Sequence, residues 1–127
     1  MSSKKVIFAV DDESYMSRSY RDIFQDEYDL HFFDSSAEVL KSLDTLKPDL
    51  AIIDIGLDEM DGYELCEALK QKEGLEHIPV VFVTGRDFSE DQGRAFFSGG
   101  AEYLMKPVEA NKIRHLVTKL LHDQPSP

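Results

Sequence analysis

Long apolar runs are absent from this chain. The most extended candidate, Ile78 to Val83, contains Pro79, and a membrane span needs about 20 consecutive apolar residues. Cysteine is almost absent too: Cys66 stands alone among 127 residues, which excludes an internal disulfide and suits a reducing compartment. Its place between Leu65 and Leu69 in a helical pattern reads as a core thiol, not a reactive one. Basic residues are few, 14 against 25 acidic ones, for a net charge of -11. That balance argues against a nucleic-acid backbone as a direct partner, because such binding rests on neutralising phosphates. It fits a domain that attracts cations or basic protein surfaces. No Gly-x-Gly-x-x-Gly or Gly-x-x-x-x-Gly-Lys-Ser/Thr follows the first apolar run; two acids stand there instead and would repel a pyrophosphate. The opening Met1-Ser2-Ser3-Lys4-Lys5 leads into a strand-like run without the apolar core of a signal peptide. A cytoplasmic protein with no membrane partner is expected.

What is present is ordinary globular material, 42% hydrophobic and 31% charged. The length suits one domain with a real core, expected over residues 1–121, with 122–127 as a polar tail that would begin a linker. Five short runs rich in β-branched and aromatic residues alternate with longer stretches of helical period. The runs are Lys5–Val10, Asp29–Phe33, Leu50–Asp54, Val80–Thr84 and Glu102–Met105. Continuous apolar character, not alternation, marks strands buried on both faces of a parallel sheet. The second run is the weakest and is expected at an edge. Helical faces are carried by Met16, Tyr20, Ile23 and Phe24, by Val39, Leu40 and Leu43, by Leu65, Cys66 and Leu69, and by Ile113, Leu116, Val117 and Leu120. Ser35 with Glu38, and Ser89 with Gln92, have capping-box spacing. Gly93 and the short face of Phe96 and Phe97 make the helix after Ser89 the weakest of five. Repeated strand–helix order implies right-handed crossovers and a doubly wound α/β sheet, with its ligand site beyond the carboxyl ends of the strands.

Five chemically active residues end apolar runs at that edge. Asp11 and Asp12 follow Val6-Ile7-Phe8-Ala9-Val10, Asp54 follows Leu50-Ala51-Ile52-Ile53, Thr84 follows Val80-Val81-Phe82-Val83, and Lys106 follows Tyr103-Leu104-Met105. A carboxylate delivered by a buried strand is costly unless paired. Three acids, a hydroxyl and an ammonium describe a pocket for a divalent cation and a phosphoryl group.

These residues, in this order, resemble the receiver domain of two-component response regulators, chemotaxis regulators among them. The resemblance covers roughly Lys4 to Leu121. It rests on Phe8-Ala9-Val10-Asp11-Asp12-Glu13, on Asp54 through Met60-Asp61-Gly62, on Thr84-Gly85 and on Lys106-Pro107. It implies a flavodoxin-like five-stranded parallel sheet of order 2-1-3-4-5 flanked by five helices. It also implies that Asp54 accepts a phosphoryl group from a sensor histidine kinase or histidine phosphotransfer protein, with Mg²⁺ (or Mn²⁺) as cofactor. Asp12, Asp54 and the Gly56 carbonyl would hold the ion directly and Asp11 through water. Lys106 and Thr84 would serve the phosphoryl oxygens, and a cis Lys106-Pro107 peptide is expected. Tyr103 matches the aromatic that turns inward when the threonine moves. The surface of the fourth helix, fifth strand and fifth helix, about Ser89 to Leu121, would face a downstream protein or a fused output domain. A phosphorylation-dependent homodimer also fits the resemblance. The linker-like tail leans toward the N-terminal piece of a larger regulator.

Three departures from the common pattern stand out. Asp58 replaces a frequent proline, Gly85 a frequent alanine or serine, and Gly56 and Arg86 occupy positions that influence how long the phosphoryl group survives. Asp58, Glu59 and Asp61 read as loop solubilisers. Phosphoryl transfer needs positioning and neutralised charge more than covalent machinery, and a carboxylate serves by forming a mixed anhydride. An aspartyl-phosphate phosphohydrolase of the haloacid-dehalogenase type would need a carboxylate two residues after the nucleophile as acid–base catalyst; Gly56 stands there. The chain is therefore read as a signalling phosphoacceptor and not an enzyme. A docking module that keeps the fold but ignores phosphorylation is the other reading.

Overall fold

In the computed structural model of the chain, residues 4–57, 60–85 and 102–122 are described. Strands β1 (Val6–Val10), β2 (Asp29–Phe33), β3 (Leu50–Asp54), β4 (Val80–Thr84) and β5 (Glu102–Met105) alternate with helices α1 (Tyr15–Phe24), α2 (Ser36–Ser42), α3 (Gly62–Lys70) and α4 (Ala110–His122). All strand pairs are parallel, in the order β2-β1-β3-β4-β5. The flavodoxin-like order expected above is the observed one, and β2 is indeed an edge strand. Four strands have the bounds read from the sequence. The first starts one residue later, at Val6, with Lys5 exposed outside the ladder.

Four helices are seen among the described residues against five expected. The helix expected after Ser89, with Gln92, Gly93, Phe96 and Phe97, lies outside the described residues, so the fifth expected helix is α4 here. Arg86, Asp58, Glu59 and the tail from Asp123 also lie outside them.

Successive strand residues point to opposite faces, and the core divides accordingly. Phe8, Val10, Ile53 and Phe82 meet Val39 of α2 and Leu65 of α3 on one side. Ile7, Ala9 and Ile52 meet Tyr20 of α1 and Val117 of α4 on the other. β3 and β4 are buried throughout, as uninterrupted apolar runs require, each large side chain contributing about 1.5–3 kcal/mol. Cys66 is fully buried and its thiol is pushed up to about 11 by desolvation, an inert core thiol as expected. The face of α4 differs from the expected one: Ile113, Val117 and Leu121 are buried, whereas Leu116 and Leu120 pack at its margin. Residues four apart line up along the side that meets the sheet.

Ser35 caps α2 by accepting the Glu38 N–H at 3.3 Å. The reciprocal capping box is at α3, where Asp61 accepts from the Glu64 N–H at 2.9 Å and Glu64 accepts from the Asp61 N–H at 3.3 Å. Asp61 is thus a helix cap and not the loop solubiliser it reads as in sequence. No described helix is long and apolar enough to cross a membrane.

Candidate phosphoacceptor site

Sheet register assembles the site. Val10 lies opposite Ile53, so the next residues, Asp11 and Asp54, emerge side by side. Asp54 lies opposite Val83, which places Thr84 one residue beyond it, and Thr84 lies opposite Met105, which places Lys106 one beyond that. Backbone bonds hold the strand ends together: Asp11 N–H donates to the Phe33 carbonyl at 3.0 Å, Ile55 N–H to Val83 at 3.2 Å, and Lys106 N–H to Thr84 at 2.7 Å.

All five residues singled out at strand ends therefore converge. Asp11, Asp12 and Asp54 bring ligand oxygens within 4.8 Å of one another. Asp11, Asp54 and Thr84 are buried, whereas Asp12 is exposed. The Lys106 ammonium joins them, 2.8 Å from Asp11 Oδ2 and 3.7 Å from Asp54 Oδ2. The Lys106-Pro107 peptide is cis, as expected. Gly56 lies beside the acceptor, and its N–H donates to Asp54 Oδ1 at 3.1 Å. Tyr103 is half-buried against the cluster that contains Phe8 and Phe82. Among the described residues, a Cβ on Gly85 would meet only the Lys106 Cδ at 3.8 Å, an ordinary contact.

Burial and the Asp11 charge push the Asp54 carboxyl up to about 6, against the opposing pull of the Gly56 N–H and Lys106. Desolvation works to lower the Lys106 pKa, but bonds to Asp11 and Glu13 and the charges of Asp11 and Asp54 win, so it stays a cation above its ordinary range. The negative field reaches Tyr20, whose phenol is held well above its ordinary pKa by burial, then by Asp11 and Asp54. The site is a carboxylate cluster short of positive charge.

Two contributors escaped the sequence reading. Glu13 places Oε1 2.7 Å from the Lys106 Nζ, and that contact holds its carboxyl below the usual range. Gly62 presses the start of α3 against the end of β3, a role hidden inside the Met60-Asp61-Gly62 signature. The only trace of Glu13 in the sequence is a third acid after Asp11 and Asp12.

Residues 7–118 match the family model of the response regulator receiver domain. The chain belongs to this family. It is 34% identical over 111 residues to the heme response regulator HssR of Staphylococcus epidermidis, covering 87% of this chain and 48% of that protein. It is 38% identical over 105 residues to HssR of Staphylococcus aureus, covering 82% of this chain and 46% of that protein. The chain spans about half the length of the curated relatives it matches. Among solved structures, a CheY-like receiver domain protein from Methanospirillum hungatei superposes with a TM-score of 0.87 at 26% identity, covering 95% of this chain and 96% of that one. The receiver domain of the sensor histidine kinase PA1611 from Pseudomonas aeruginosa, described with a magnesium ion in its active-site cleft, superposes with a TM-score of 0.83 at 17% identity, covering 94% and 98%. At that identity the likeness of this receiver to PA1611 is one of fold.

Proposed function

We propose that Asp54 is the phosphoacceptor, supplied by a sensor histidine kinase or a histidine phosphotransfer protein. One observation carries this reading: three carboxylates with oxygens within 4.8 Å meet a buried ammonium at the strand ends of a receiver fold. The Asp54 carboxylate attacks phosphorus, the bond from phosphorus to the donor nitrogen breaks, and the imidazole leaves with the electron pair. The product is an acyl phosphate on Asp54. Lys106 sits where its ammonium reaches a phosphoryl oxygen, and Thr84 supplies a hydroxyl to another. A hydrogen bond of this charged type is worth about 1.5–3 kcal/mol, enough to shift a two-state balance roughly tenfold or more. Tyr103 is the aromatic that follows Thr84.

The donor set suits magnesium or manganese. Asp11, Asp12 and Asp54 gather oxygens within 4.8 Å of one another, a hard oxygen set of the kind these ions take. Asp12, Asp54 and the Gly56 carbonyl would hold it directly. Asp11, already tied to Lys106 at 2.8 Å, would act through water. When bound, the ion supplies the positive charge that lets a phosphoryl anion approach the carboxylates. The magnesium in the PA1611 receiver supports this choice.

The output face would include β5 and α4, together with the segment from Ser89 that lies outside the described residues. Its partner would be a downstream protein or a fused output domain, and the half-length match to HssR favours the latter. The single thiol, Cys66, supports a reducing, cytoplasmic setting. Phosphohydrolase chemistry toward outside substrates is disfavoured, since the residue two after the acceptor is Gly56, which has no side chain to act as acid or base.

Incubation with MgCl₂ and acetyl phosphate tests this. A labile adduct confined to Asp54, lost in Asp54→Asn and in excess EDTA, is the expected result. Equal labelling of Asp54→Asn would refute the acceptor assignment, and no labelling of the parent would favour a docking module indifferent to phosphorylation.

A further inference from the structure

The Lys106 ammonium carries three N–H donors. It makes two short contacts, 2.8 Å to Asp11 Oδ2 and 2.7 Å to Glu13 Oε1, and stands off from Asp54 at 3.7 Å, beyond hydrogen-bond distance. The two short contacts are unlike in what they allow. Asp11 is fully buried, and its other oxygen accepts the Glu13 N–H at 2.9 Å, so releasing the ammonium would strand a buried charge. The Glu13 side chain is 49% exposed and can turn to water. Of the two holders, only Glu13 can let go cheaply.

We propose that Glu13 is a positioning residue that tethers the Lys106 ammonium away from Asp54 in the unphosphorylated domain and yields it when a phosphoryl group arrives. This rests on the phosphoacceptor reading above and adds a regulator to that site. The short Glu13 N–H bond to Asp11 anchors the tether's backbone, so its reach is set by the same turn that positions the acidic pair. A phosphoryl group on Asp54 and the Glu13 carboxylate would then compete for one ammonium, and the strength of the tether sets how readily the site charges.

A double-mutant cycle over the parent, Glu13→Gln, Lys106→Ala and the double variant tests this, with MgCl₂ present throughout. The readout is the rate of Asp54 phosphorylation across a range of acetyl phosphate concentrations. In the parent background Glu13→Gln should raise the limiting rate about two- to fivefold, and in the Lys106→Ala background it should change nothing. Titration with beryllofluoride, a phosphoryl mimic that binds without transfer, should show the same pattern as a gain in affinity. An equal gain in both backgrounds would mean that Glu13 merely repels an anionic donor, and would overturn the tether. So would no gain in the parent background. A parent that forms no adduct on Asp54 would remove the phosphoacceptor reading and the tether with it, an outcome distinct from an adduct indifferent to Glu13.

Discussion

Gly62 lies against Asp54 so closely that a Cβ on the glycine would sit 2.5 Å from the Asp54 carbonyl oxygen and 2.8 Å from the Ile55 Cα. The Gly62 N–H completes the contact by donating to the Ile55 carbonyl at 3.1 Å. The first turn of α3 is thereby docked on the backbone of the proposed acceptor.

Gly62→Ala should therefore be costly. The atoms in the way are backbone, which cannot rotate aside, so α3 and β3 must separate. Overpacking of this kind typically costs about 1–3 kcal/mol, and the displaced segment carries Asp54, so adduct formation should slow as well. Gly85→Ala, where the added methyl meets, among the described residues, only a flexible lysine carbon at 3.8 Å, should stay within about 0.5 kcal/mol of the parent. Urea denaturation of both variants checks this; equal midpoints would contradict it.

The helix that Gly62 begins is held by the Asp61–Glu64 capping box. Asp61→Ala removes the acceptor for the Glu64 N–H and should cost about 1 kcal/mol. Thermal unfolding should show it, with Glu64→Ala milder. A midpoint unchanged in Asp61→Ala would mean that solvent satisfies the helix end equally well.

These examples show where sequence is legible and where it stops. The strands were readable because β-branched runs such as Val80-Val81-Phe82-Val83 have no exposed face to interrupt them, and Asp54, Thr84 and Lys106 were readable because each ends such a run. Lys5 was misread as strand because its side chain carries no signal of where pairing starts. Leu120 and Leu121 are adjacent apolar residues near the end of α4, and only packing against the sheet shows that Leu121 is the one buried. In an acid-rich loop a capping aspartate looks like any other, so Asp61 passed as a solubiliser. Glu13 is joined to Lys106 across 93 residues, and no local pattern records such a pair. The closeness of Gly62 to Asp54 likewise exists only once β3 and α3 are packed.

The acceptor itself should weaken the cation-free fold. Its carboxyl rises from 3.8 unfolded to about 6 folded, first through burial and then through Asp11. Below the unfolded value both states hold the proton and no penalty exists. As pH rises between the two values, the unfolded chain ionises first, so stability falls, and above about 6 the full penalty is about 3 kcal/mol at most. Asp54→Asn keeps an acceptor for the Gly56 N–H but carries no charge. In EDTA at about pH 8 it should be about 1–3 kcal/mol more stable than the parent, with the gap closing near pH 4. Chemical denaturation at several pH values measures the gap; a constant difference would show that Asp54 ionises normally in the folded domain.

Lys106 and a divalent ion should compete for the same negative charge. The ammonium lies 2.8 Å from Asp11 and 3.7 Å from Asp54, the two buried members of the carboxylate cluster. Removing one partner of a buried pair costs about 3–5 kcal/mol because the other is left uncompensated. Lys106→Ala should lose stability on this scale in EDTA. Magnesium should restore much of it, because the dication then relieves a repulsion that the lysine no longer shares. Its affinity for the variant should exceed that for the parent, while Asp12→Asn, which removes the charge of one ligand and leaves the ammonium in place, should bind more weakly. At a magnesium concentration of about 100 times the dissociation constant, linkage alone adds about 2.7 kcal/mol, readily seen in denaturation curves. If Lys106→Ala were as stable as the parent in EDTA, or bound magnesium no more tightly, the ammonium could not be the resting counter-ion of this cluster.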